Sequence, residues 1–230
     1  MKQNHQEIGI GIIGSGRMGN LRSSISRSYG SIKYIGVSDK EVAKAKILGE
    51  KINADLISSN NEEIISNENV QAIIVSTSEP EHLDPVIQAL ERGKPVLVEK
   101  PIALSEDDAK KMIEVANKNN TTLHVGYTLR FNRHFLIGKQ QILDKKIGNI
   151  LSCVGRFYNS QRTGAEILKR SKHISFINDA LTYLVDLFGW YLEDKKPKEI
   201  IAKGHGKIYR RDGYDVDEIA AAIITYEDGT

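Results

Sequence analysis

Three groups of residues in this chain of 230 have types and spacings that chemistry could use. The first is Gly14-Ser15-Gly16-Arg17-Met18-Gly19, which follows the apolar run 8–13 and precedes Leu21 and Ile25 at helical spacing. Strand, tight turn and helix in that order suit phosphate binding. Gly14 permits the turn, Gly16 leaves room for a pyrophosphate against the backbone, and Gly19 lets the new helix pack on the strand. The free amides and the dipole of the helix start then face the negative charge. Glycines at this spacing also occur in plain turns, so the reading needs an acidic residue at the end of the next strand. Asp39 stands there, twenty-five residues beyond Gly14. Its carboxylate would accept hydrogen bonds from an adenosine ribose and repel a 2'-phosphate, which favours NAD; Lys40 beside it leaves NADP open.

The second group is Glu99-Lys100-Pro101, directly after the apolar run 95–98. A lysine at the end of a central strand is costly to place unless it faces a polar cleft, where a bound cofactor could lower its pKa toward a useful range. The alternative is a surface lysine in the loop before Pro101. The third group is Asp179, Tyr183 and Asp186, which helical spacing puts on one side of a helix. Tyr183 reads there either as a site residue or as a partly buried core aromatic.

These residues need elements to hold them. Apolar runs at 8–13, 33–38, 54–57, 70–75, 95–98 and 121–125 read as strands. Helical patterns separate them: one over 40–49 with Gly49 as its stop, a short one capped by Ser59 or Asn60, one bearing Leu83, Val86, Ile87 and Leu90 and closed by Gly93, and one started by Ser105 with Asp108. The alternation predicts a parallel sheet covered on both faces, with a ligand crevice at the carboxyl ends of the strands. Gly14, Asp39, Ser76 to Ser78 and Glu99 to Pro101 all gather at that edge. After Gly126 the pattern changes. A helix is expected over 131–143, a strand over 150–158, a polar crossing loop with about one helical turn over 159–172, an apolar helix from Phe176, and two antiparallel strands over 199–209 and 218–226. The open strand edge at the end calls for cover by a partner, by oligomerisation or by further chain.

Composition narrows the function classes. With 32 basic and 30 acidic residues the net charge is +2, and the small basic patches at 169–172 and 210–211 are too short to suggest nucleic acid. Cys153 is the single cysteine, so neither an intrachain disulfide nor a thiolate metal cluster is expected, and the six histidines lack compact ligand spacing. There is no Gly-Lys-Ser or Gly-Lys-Thr phosphate loop. Without an evident signal peptide or a membrane-length apolar run, the expected location is the cytoplasm, away from membranes.

Taken together, the segments 11–19, 99–101 and 126–132 resemble, in order and separation, the Gfo/Idh/MocA family of glucose-fructose oxidoreductase and inositol dehydrogenase-like enzymes. The resemblance covers the whole chain. It implies an α/β fold: an N-terminal Rossmann domain with a parallel sheet over 1–123, then a substrate-binding α+β domain with a mainly antiparallel sheet over 124–230. That second domain looks short or truncated at its carboxyl end. It also implies hydride transfer between NAD, or NADP, and a hydroxyl or carbonyl carbon of a sugar, amino sugar or polyol. By the same resemblance Lys100 binds the reacting oxygen and relays its proton, Glu99 helps to bind the cofactor, and Ser76, Thr77, Ser78 and His82 lie near the nicotinamide ribose and pyrophosphate. Substrate contacts fall to Tyr127, Arg130 and Asn132. Asp179 and Tyr183 match the family's aspartate and histidine, four residues apart, with tyrosine replacing histidine as it does in the glucose-fructose oxidoreductase branch. The family's glycine-rich turn ahead of this motif is replaced by 173–178, which brings His173 into consideration for the substrate pocket. Relatives associate through the second sheet, so a homodimer or homotetramer is expected. Two other readings stay open: an NAD-binding regulatory protein with weak or lost chemistry, and an NAD-dependent glycosidase or lyase-like enzyme that oxidises its substrate only transiently.

Overall fold

Alternating apolar runs and amphipathic helices resolve, in a computed structural model that describes residues 7–170, 176–193 and 195–230, into two compact units that divide between Gly126 and Tyr127. In the first unit the described strands are β1 (Ile8–Ile13), β2 (Ile32–Ser38), β3 (Leu56–Ser58), β4 (Ala72–Val75), β5 (Val96–Val98) and β6 (Leu123–Val125). They form one parallel sheet in the order β3-β2-β1-β4-β5-β6. The intervening helices are α1 (Arg17–Arg27), α2 (Val42–Ile52), α3 (Asn61–Ile65), α4 (Leu83–Glu91) and α5 (Glu106–Lys118).

The sheet is buried on both faces, which is why its strands read as continuous apolar runs. Ile13, Val75 and Val98 pack with Ile64, Leu90 and Met112 on one side, and Ile10, Ile12, Ile35 and Val37 pack with Leu48 and Ile52 on the other. Strand order reverses direction between β1 and β4, the place where such sheets open a crevice at their carboxyl ends. Register makes those ends level: Ile13 lies opposite both Ser38 and Val75, and Val75 lies opposite Val98. The residues that follow, Gly14, Asp39, Ser76 and Glu99, therefore leave the sheet along one edge.

Side-chain caps mark two of the helix starts in the first unit. Ser105 Oγ accepts from the Asp108 amide at 3.1 Å and caps α5, and Asn60 caps α3 through the Glu62 amide. Ser105→Ala should cost about 1 kcal/mol, read as a lower denaturant midpoint of the first unit. α2 runs past Gly49 to Asn53, which ends it with φ 51°. Gly49 is instead buried inside the helix, where a Cβ would collide with Ile57 of β3, so this glycine serves close packing and not termination.

The second unit holds a single-turn helix Thr128–Phe131, then α6 (Arg133–Leu143), α7 (Gln161–Arg170), α8 (Phe176–Tyr191), β7 (Pro197–His205), α9 (Ile208–Arg211) and β8 (Ile219–Tyr226). β7 and β8 pair antiparallel. Two expectations are corrected here. Residues 150–160 form no strand, and Leu151, Val154 and Tyr158 are more than 80 % exposed. The expected crossing loop is mostly α7, whose Gly164, Ile167 and Leu168 are buried at helical spacing. Among the described residues no helix is long and apolar enough to cross a membrane.

Candidate active site at the carboxyl edge of the parallel sheet

Gly14 leaves β1 at φ +95°, and its own amide donates to the Ser38 carbonyl at 2.8 Å, tying the turn to β2. A Cβ at Gly14 would lie 2.6 Å from the Thr77 amide nitrogen. A Cβ at Gly19 would collide with the Gly14 carbonyl oxygen. That carbonyl accepts from the buried Ser76 hydroxyl at 3.0 Å. Both glycines are thus required by the protein itself. Gly16 is different: a Cβ there would meet nothing within 4 Å. It precedes α1 in an extended conformation that any residue adopts, φ −72° and ψ −164°, and among the described residues no side chain caps the helix.

Beside this open face the hydroxyl of Ser15 is buried without a hydrogen-bond partner among the described residues. Arg17 is exposed and Met18 partly so, and no acidic side chain occupies the first turn of α1. Asp39 brackets the turn, its Oδ2 accepting from the Ser15 amide at 2.8 Å and its Oδ1 from the Glu41 amide at 2.9 Å. An open cradle, an orphaned hydroxyl, an uncapped helix start and a carboxylate at the end of β2 fit the pyrophosphate and adenosine ribose of a dinucleotide. Lys40 is drawn to Glu81, and the hydrogen bond and charge of Glu81 raise the lysine above its ordinary pKa.

The neighbouring strand ends are tied together by their own side chains. His82, fully buried, donates through Nδ1 to the Pro101 carbonyl at 3.1 Å, with Nε2 3.4 Å from the Thr77 carbonyl. Thr77 Oγ1 donates to the Glu81 carbonyl at 3.2 Å, and the Ser78 carbonyl accepts from the Glu81 amide at 2.9 Å. Glu99 is buried and paired with Arg22 of α1, Nε to Oε1 at 2.7 Å. His82 and Glu99 therefore brace the loops after β4 and β5 from within. Lys100 follows as a half-buried residue joined to Pro101 by a cis peptide bond.

The residues expected on the second unit divide into two sets. Asp179 and Tyr183 stand one turn apart on α8, both half-buried, with the Tyr183 ring stacked on Phe157 at a centroid distance of 6.0 Å. Tyr127, Arg130 and Asn132 have structural partners. Tyr127 Oη lies 3.0 Å from Thr182 Oγ1, and Asn132 Oδ1 accepts from the His134 amide at 3.0 Å as the cap of α6. Arg130 grips the buried Asp186 carboxylate through Nε, at 2.9 Å to Oδ2, and lies over the Trp190 ring. Asp186 raises the guanidinium above its ordinary pKa, so Arg130 is committed to this pair. His173 lies outside the described residues.

Arg22 was missed by sequence reasoning. An arginine within α1 and a glutamate 77 positions later carry no local signal of contact, and only the packing of α1 against the β5 end joins them.

A family model described as an oxidoreductase family with an NAD-binding Rossmann fold matches residues 8–127. Inositol 2-dehydrogenase of Salmonella paratyphi B is 27 % identical over 196 residues, which cover 84 % of this chain and 56 % of that protein. The 2,7-anhydro-N-acetylneuraminate hydratase of Mediterraneibacter gnavus is 30 % identical over 159 residues, 69 % of this chain and 40 % of that protein. The chain spans about half the length of these curated relatives. The crystal structure of scyllo-inositol dehydrogenase from Lactobacillus casei, with bound NAD(H) and scyllo-inositol, superposes with a TM-score of 0.84 at 22 % identity. That match covers 98 % of this chain and 68 % of that one, and it shares the fold.

Proposed function

The chain belongs to the Gfo/Idh/MocA oxidoreductase family, whose first domain binds NAD, and from that premise we propose that it is an NAD-dependent oxidoreductase acting on a hydroxyl or carbonyl carbon of a sugar, amino sugar or polyol. The observation that carries the reading is the open backbone at Gly16, at the same sheet edge as Lys100. NAD, when bound, supplies the hydride acceptor. The remaining work belongs to the chain. The α1 amides and Gly16 receive the pyrophosphate, Asp39 holds the adenosine ribose, and the Ser76 to Ser78 turn borders the nicotinamide half.

Lys100 is assigned to the reacting oxygen. As an ammonium it holds a hydroxyl through its lone pairs, and as an amine it takes the proton that the hydroxyl must lose when its carbon is oxidised. Tyr183 is assigned to that proton's relay and Asp179 to orienting the substrate. A phenol with an ordinary pKa near 10 works near neutrality only with a cation to assist it. The inositol dehydrogenases among the relatives support a cyclitol or sugar as substrate class. Homo-oligomerisation through the β7–β8 sheet, a cytoplasmic location and a place for His82 beside the cofactor belong to the same proposal, while Glu99, paired with Arg22, braces the end of β5.

The hydratase relative favours a second reading, in which oxidation is transient and NAD is restored while another bond is broken or hydrated. Nicotinamide absorbance across a panel of inositols, sugars and sialic acid derivatives separates the two. Accumulating NADH supports the first. Product formed with no lasting NADH supports the second, and NAD binding without any product returns the chain to a regulatory role.

Cofactor choice gives a further test. Asp39→Asn keeps one oxygen to accept from the Ser15 amide, gives up the bond from the Glu41 amide, and removes the charge that repels a 2'-phosphate. The ratio of NADP to NAD affinity should rise by about tenfold, roughly 1.4 kcal/mol, measured by calorimetry. An unchanged ratio removes Asp39 from cofactor selection.

A further inference from the structure

We propose that Arg22 is a positioning residue for Lys100, acting through Glu99: a buried ion pair anchored on α1 fixes the strand end from which Lys100 projects. The inference rests on the role given to Lys100 above. Arg22 Nε and Glu99 Oε1 are 2.7 Å apart, with the two side chains 19 % and 9 % exposed. Space for the pair is made by Gly126, where a Cβ would lie 2.8 Å from Glu99 Oε2 and 3.2 Å from an Arg22 terminal nitrogen. The backbone on either side is already in the ladder, the Glu99 amide donating to Val75 and the Gly126 amide to Val98. The carboxylate is thus held where β4, β5 and β6 end together.

Stability alone is a poor reason for this arrangement. A buried ion pair is often no better than an apolar pair of similar volume, because both charges lose their water. Here the second terminal nitrogen of Arg22 is also buried without a hydrogen-bond partner among the described residues, which adds cost. What the pair supplies is geometry. The short charge-assisted bond from Arg22 Nε confines the carboxylate, whose backbone is covalently next to Lys100. α1 also carries Gly16 and Gly19 at its start, so one rigid helix sets both the phosphate cradle and the lysine. An error of about 1 Å at a reacting group is enough to lower a rate by about a hundredfold.

The test uses the chain with Arg22→Met alone, with Arg22→Met and Glu99→Gln together, and with Arg22→Lys. The single methionine variant leaves a buried carboxylate unpaired and is included to show that cost; the double variant removes it and is expected to melt cooperatively. Three quantities are read on the double variant: NAD affinity by calorimetry, kcat and KM on the best panel substrate, and the methyl signal of 13C-dimethylated Lys100, assigned with Lys100→Arg. The expected result is NAD affinity within about twofold, kcat lower by about tenfold or more with KM little changed, and a Lys100 signal moved toward that of exposed lysines, with Arg22→Lys recovering part of each. Unchanged kcat together with an unchanged Lys100 signal overturns the proposal. So does a loss expressed wholly as weaker NAD binding. If the parent chain turns over no substrate, the functional reading fails by itself, and the Lys100 signal still decides whether Arg22 positions that lysine.

Discussion

Gly16→Ala should unfold like the parent chain yet bind NAD roughly ten- to a hundredfold more weakly, a loss of about 1–3 kcal/mol. The backbone at Gly16 suits alanine, and an added Cβ meets no protein atom, so its stability should stay within about 1 kcal/mol of the parent. Any large effect on NAD must then come from the space the methyl takes in front of the helix start. Gly19→Ala is the contrasting variant. Its Cβ collides with the Gly14 carbonyl, a backbone atom fixed by the Ser76 hydroxyl, so it should lose about 1–3 kcal/mol of stability along with NAD binding. Calorimetric titration beside thermal melts distinguishes the two glycines. Equal NAD affinity in Gly16→Ala would take the pyrophosphate away from this turn.

Lys100→Ala should reduce kcat by about two to four orders of magnitude while NAD affinity and melting temperature hold. The lysine is half-buried, and the fold of its strand end is maintained by Glu99, His82 and the backbone ladder, all of which survive truncation at residue 100. Lys100→Arg should fail nearly as badly, because a guanidinium keeps the charge but does not give up a proton near neutrality. Steady-state rates on the best panel substrate check both. Turnover within twofold of the parent in Lys100→Ala would return this residue to the role of a surface lysine.

The parallel sheet was legible because burial on both faces leaves strands as continuous apolar runs, and because the glycine turn, Asp39 and Ser105 each stand at a recognisable place at the end of a strand or the start of a helix. The errors arose where tertiary packing reassigns a local signal. Gly49 looks like a helix stop but lies inside α2, since α2 approaches β3 too closely there for any side chain. Residues 150–158 have the residue types of a strand, yet Leu151 and Val154 point to no core, while β7 takes β8 as its partner. α7 had a usable signal: Ser160, whose hydroxyl accepts from the Thr163 amide, stands before a helix buried through Gly164, Ile167 and Leu168.

At the site, residue type alone could not tell a binding group from a bracing one. Arg130 reads as a cation for substrate, but Asp186, 56 positions away, already holds it. Asn132 reads as a polar contact and is a helix cap. Glu99 and His82 were expected beside the cofactor, and they do stand at that edge, though buried and facing Arg22 and the Pro101 carbonyl. The chemistry of such residues depends on partners that only the folded sheet edge brings near.

In the function proposed above, one sheet edge carries both the dinucleotide and the reacting lysine. A crystal structure of the chain with NAD and an inositol bound tests it most directly. The pyrophosphate should lie against the Gly16 backbone, the adenosine ribose hydroxyls should bond Asp39, and the substrate oxygen held by Lys100 should sit on a carbon about 3–3.5 Å from the nicotinamide C4. A dinucleotide bound elsewhere, or a nicotinamide turned away from Lys100, would contradict the account.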